Sequence, residues 1–120
     1  MVDRTAELLG LKTSFTILIA ADDRLRRQFT LLFSEANYFI LEAHTRDQAL
    51  QLVRSARPDL ILLADNNGFL DPFETCAAIQ NTTEGIRVPV VLLIQSEDEK
   101  LINRALDSGA SDYISYPIKA

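Results

Sequence analysis

Residues 58–74 read PDLILLADNNGFLDPFE, and the order of residue types in this stretch sets the fold class. Pro58 disfavours helical backbone in the residue before it, so it closes any helix that precedes it. Leu60 to Ala64 is an unbroken apolar run of strand length. A strand with one wet face would alternate polar and apolar residues. A continuous run implies cover on both faces, as in a parallel sheet between two helical layers. The polar stretch Asp65-Asn66-Asn67-Gly68 breaks the run. Asp71, Pro72 and Glu74 then mark a helix start, with a carboxylate cap, a preset φ, and an acid near the positive end of the helix dipole.

The same strand–loop–helix unit recurs on either side. Phe15 to Ala21 is the first strand, followed by a helix whose inner face is expected to carry Leu25, Phe29, Leu32, Phe33 and Ala36. Tyr38 to Ala43 is the second strand. Thr45 with Gln48 is a capping-box pattern, and Ala49, Leu52, Val53 and Ala56 line the helix that follows. Val88 to Ile94 is the fourth strand, and Ser96 with Glu99 forms a second capping box. Leu101, Ile102, Ala105 and Leu106 are expected on that helix's inner face, and Gly109 ends it. Asp112 to Tyr116 is a short fifth strand. Strands alternating with helices at short spacing imply an α/β three-layer sandwich around a five-stranded parallel sheet of order 2-1-3-4-5. In that order a crevice lies beyond the carboxyl ends of strands one and three, which here carry Ala20-Ala21-Asp22-Asp23 and Ala64-Asp65-Asn66-Asn67.

Composition fits one soluble domain. The chain has 120 residues, 48% apolar and 24% charged, with 4 Gly and 4 Pro. Residues 15–120 are read as the domain, and residues 1–14 as a tail or a short helix bearing Leu8, Leu9 and Leu11. A net charge of −5 leaves no basic footprint for nucleic acid. No apolar run reaches membrane-spanning length, and the N-terminus is too charged for a signal peptide, so a cytoplasmic location is expected. Arg24, Arg26 and Arg27 sit beside Asp22 and Asp23 and read as a solvated helix start. Cys76 is the only cysteine and reads as a buried structural thiol. His44 is the only histidine, which excludes metal sites needing two imidazoles, and it reads as a loop side chain.

The segments PDLILL, DPFE, VPVVLL and ALDSGASDYI, with the final Tyr116-Pro117, occur in an order and spacing that resemble the receiver domain of bacterial two-component response regulators, the CheY-like superfamily. The resemblance runs from Phe15 to Pro117. It implies a magnesium ion held by acids after strand one together with a reactive aspartate at the end of strand three. A hydroxyl residue should end strand four, and a lysine should precede the proline after strand five. Aligned on the flanking motifs, the reactive position is Ala64, the hydroxyl position Ile94 and the lysine position Tyr116. An ungapped count puts the acidic pair at Ala20 and Ala21, and a slip of one or two residues restores Asp22 and Asp23. Tyr113 matches the family's aromatic signalling switch.

The resemblance therefore implies a degenerate pseudo-receiver that is not an enzyme, needs no cofactor and is not phosphorylated at the usual position. Such a domain would act by binding a protein partner or output domain, with homodimerisation through the fourth-helix and fifth-strand region. The alternative is a working phosphoacceptor that uses Asp65 with Asp22, Asp23 and magnesium, as the N-terminal regulatory domain of a larger output protein. Successive strand side chains point to opposite faces, which weighs against Asp65 substituting for its neighbour. A flavodoxin-like small-ligand binder is a third reading, disfavoured because no Gly-rich phosphate loop follows strand one. Receivers continue into a fifth helix, whereas Ala120 follows Pro117 by three residues. The fifth helix is accordingly expected to be missing or truncated, leaving an apolar patch that seeks a partner.

Overall fold

Strands and helices alternate along the chain in the computed structural model, which describes residues 15–35, 38–64, 70–83, 87–94 and 99–115. The strands are β1 (Thr16–Ala20), β2 (Phe39–Ala43), β3 (Leu60–Ala64), β4 (Val90–Ile94) and β5 (Asp112–Ser115). They pair in parallel as one sheet of order β2-β1-β3-β4-β5. Four helices intervene among the described residues: α1 (Asp23–Ser34), α2 (Arg46–Ala56), α3 (Pro72–Gln80) and α4 (Glu99–Asp107). This is the expected α/β order.

The continuous apolar runs do what two-sided cover requires. Every residue of β1 is buried, as are Ile61 to Ala64 of β3. Alternation sorts them into two cores. On one face Ile17, Ile19, Leu62 and Leu93 pack with Leu25 and Phe29 of α1. On the other, Leu18, Ile61, Leu63, Val90 and Leu92 meet Ala49 and Val53 of α2, Cys76 and Ile79 of α3, and Ala105 of α4. Cys76 is buried, as expected; burial pushes its thiol above the ordinary range, and a hydrogen bond with Ser108 offsets part of that rise.

Turn chemistry fixes the ends. Asp71 Oδ1 accepts the amides of Phe73 and Glu74, with Pro72 opening α3. Thr45 Oγ1 accepts the Gln48 amide, while Gln48 Oε1 reaches back to the amide of His44, one residue before the cap. Arg57 takes a left-handed φ of 48° after α2, and Pro58 follows it. Gly109, at φ +95°, ends the turn after α4, where a Cβ would come within 2.9 Å of Gln80 Cγ. Asp59 joins the two central strands: its Oδ2 accepts the Thr16 amide at 2.7 Å, and its own amide donates to the Thr16 carbonyl.

Several sequence expectations need correction. β4 begins at Val90 rather than Val88, because Pro89 has no amide for the ladder and its carbonyl instead accepts the Ile61 amide. On α1, Leu25 and Phe29 are buried and Phe33 is half-buried, but Leu32 is 59% exposed. On α4, Leu101 and Ala105 face the core, Ile102 is half-buried and Leu106 is 49% exposed. Ala36, Ser96 and the short helix read in residues 1–14 lie outside the described residues.

Candidate functional site

The carboxyl ends of β1, β3 and β4 meet at one rim of the sheet, the side on which open α/β sheets bind ligands. Register fixes each strand's contribution. Ala20 lies opposite Leu63, Ala64 opposite Leu93, and Ile94 opposite Ser115. Among the described residues, the side chains at these strand ends are alkyl: Ala20, Ala21 and Ala64 are wholly buried, and Ile94 is 5% exposed. Ala21 and Ala64 pack on the α1 side, Ala20 and Ile94 on the opposite side. None of these four can attack phosphorus, donate a hydrogen bond or hold a cation.

Asp22 and Asp23 stand just beyond. Asp22 caps α1, its Oδ1 accepting the Leu25 amide at 2.8 Å. Asp23 Oδ1 lies 2.6 Å from Arg26 Nη2 and 3.9 Å from His44 Nδ1. Each carboxylate therefore has an oxygen committed to the helix start. Magnesium needs about six oxygens in near-octahedral array. Among the described residues, no three His, Cys, Asp or Glu side chains are gathered so as to hold a metal ion. The described donors do not fit magnesium. Asp65, Asn66, Asn67, Gly68 and Tyr116 lie outside the described residues. Tyr113 is half-buried in β5 and packs against the core that α4 covers.

One reading of this region is overturned. Arg26, taken from sequence as part of a solvated cluster, is 8% exposed. The flank of α1 that carries Arg26, Thr30 and Phe33, at i, i+4 and i+7, faces β2. There alternation puts Glu42 on the same side as Ile40. An Arg on the sheet-facing flank of α1 and a Glu at the end of β2 on the same side form the cross-element pair that the local charge pattern does not show. Asp59, which no local pattern singles out, satisfies the first amide of β1.

The response-regulator receiver domain family matches residues 17–120 of the chain. The chain belongs to this family. The receiver domain is 32% identical over 103 residues to the transcriptional regulatory protein AfsQ1 of Streptomyces coelicolor, covering 86% of this chain and 44% of AfsQ1. It is 32% identical over 115 residues to histidine kinase P4 of Formosa agariphila, covering 96% of this chain and 8% of the kinase. The receiver domain thus spans less than half the length of these curated relatives. A crystal structure of a putative response regulator from Chloroflexus aurantiacus superposes with a TM-score of 0.79 at 23% identity, covering 88% of both chains. That likeness extends the fold assignment to three dimensions.

Proposed function

We propose that this receiver domain serves two-component signalling as a protein-binding module that does not take up a phosphoryl group at the family's usual position. The observation that supports the reading is the alkyl rim. Where the family resemblance expects an attacking carboxylate and a hydroxyl, the chain has the buried Ala64 and Ile94; an ungapped count also sets Ala20 and Ala21 at the metal-binding acids, with Asp22 and Asp23 one or two residues on. A buried methyl has no lone pair, so covalent activation at Ala64 is chemically closed. Conformational signalling by such a domain rests on which protein it binds.

The domain is then one module of a signalling protein, working with an output domain or a separate protein on the cytoplasmic side. Two observations favour this placement. Its relatives are a transcriptional regulator and a histidine kinase, each much longer than the matched segment. No described helix is long and apolar enough to cross a membrane.

The test is incubation with a small acyl phosphate and magnesium, followed by intact mass. No mass gain is expected. A gain of one phosphoryl group that vanishes in Asp65→Asn would replace this reading with phosphoacceptance at Asp65.

Self-association through the α4–β5 region is part of the proposal. β5 is an edge strand of the sheet, and exposed apolar side chains flank it from the two faces, Leu106 on α4 on one side and Ile114 of β5 (38% exposed), in register with Leu93, on the other. Light scattering is expected to give a dimer that Leu106→Asp with Ile114→Asp reduces to monomer. A concentration-independent monomer in the wild type would remove this element while leaving the chemistry untouched.

A further inference from the structure

Arg26 is held by groups from two separate stretches of chain, residues 21–23 and 42–44. Its Nη2 donates to Asp23 Oδ1 at 2.6 Å, and its Nη1 to His44 Nδ1 at 2.9 Å and to the Ala21 carbonyl at 3.4 Å. Its Nε lies 3.5 Å from Glu42 Oε1, an ion-pair distance without the geometry of a hydrogen bond, so Nε is buried with no hydrogen-bond partner. The same Glu42 oxygen accepts the Thr30 hydroxyl at 3.0 Å. One cation thus joins the end of β1, the first turns of α1, the end of β2 and the loop that follows.

We infer that the Arg26 guanidinium is the resident cation of this end of the sheet. It compensates Asp23 and Glu42 with a charge tethered to α1, and so fixes the β1–α1 turn without a dissociable divalent ion. The disagreement between the site and magnesium is the starting point. The described strand ends are alkyl, Asp22 Oδ1 caps α1, and Asp23 Oδ1 is already paired with a cation. A guanidinium suits the task better than an ammonium would, being planar, always charged, weakly hydrated and able to donate in several directions at once. Because it can only donate, His44 Nδ1 must accept, which puts the neutral imidazole's proton on Nε2. A network with its own cation makes the position of α1 independent of magnesium. This conclusion does not rest on the non-phosphorylated reading, because Arg26 would do the same whether or not Asp65 accepts phosphate.

The test is thermal unfolding of Arg26→Met, alone and with Asp23→Asn and Glu42→Gln, with and without millimolar magnesium at constant ionic strength. Arg24→Met and Arg27→Met, at exposed positions of the same helix, are the controls. Arg26→Met is expected to lower Tm by about 5 °C or more, with each control within about 1 °C of the wild type. Neutralising Asp23 and Glu42 in the Arg26→Met background should recover roughly half of that loss, and magnesium should leave the wild-type Tm unchanged. An equal loss with and without the two carboxylates would reduce Arg26 to packing and overturn the inference. So would a wild-type Tm that rises with magnesium, or an Arg26→Met variant that melts like the wild type. Should Arg26→Met not fold, the wild-type protein still decides. His44 is the only histidine, so nitrogen-15 shifts of one imidazole report its tautomer. The Nε2–H form is expected, and the Nδ1–H form would overturn the contact.

Discussion

Ala64→Asp is expected to destabilise the domain by about 3–5 kcal/mol at neutral pH, without creating a phosphate acceptor. The Ala64 side chain is wholly buried among Ile19, Ala21, Leu62 and Leu93. A carboxylate there loses its hydration, and the described side chains packed around it are alkyl. The Arg26 cation on α1 is already engaged by Asp23 and His44. Added volume in a packed core contributes a further part of the cost.

The pH dependence has a definite sign. Burial raises the folded-state pKa of the new carboxyl above its unfolded value. The variant should therefore lie closest to the wild type below the unfolded pKa, and lose stability as pH rises through the window between the two values. Urea midpoints at several pH values, at constant m, measure this directly. A variant as stable as the wild type, or one rescued by magnesium, would mean that the rim holds room and donors for an ionised carboxylate after all.

Leu63→Ala should cost about 2–5 kcal/mol, whereas Leu32→Ala should stay within about 0.5 kcal/mol. The chemical change is identical, so burial alone sets the difference. Leu63 sits in the middle of the sheet, opposite Ala20 on β1 and Leu92 on β4, with no exposed surface. Cutting its isobutyl group back to a methyl leaves a cavity bounded by two neighbouring strands that cannot close without breaking ladder bonds. Leu32 projects largely into solvent. Denaturant midpoints for the two variants settle the comparison, and equal losses would mean that α1 lies differently on the sheet.

That contrast marks the boundary of what the sequence makes legible. β3 could be read to the residue because Leu60 to Ala64 is bounded by a Pro-Asp pair and a polar loop, and because a continuous run admits few other placements. The caps at Thr45 and Asp71 are local and follow from side-chain chemistry alone. Leu32 and Leu106 were misread because an apolar stripe gives a helix's period but not the width of the surface it packs against. Arg26 was misread for a different reason. Its partners Glu42 and His44 come from another strand and loop, so local charge pattern suggests water where tertiary structure supplies acceptors. At the candidate site, the alkyl identity of Ala64 and Ile94 was plain from alignment of flanking motifs. The commitment of Asp22 and Asp23 to the helix start required coordinates.

The lone sulfur on α3 gives the domain a built-in reporter. Because Cys76 is enclosed between α3 and the sheet and its thiolate is disfavoured there, alkylating reagents can reach it only when the layers separate. Its labelling rate therefore counts opening events of the whole fold, and a bound companion that clamps the layers together should slow that count without touching the sulfur.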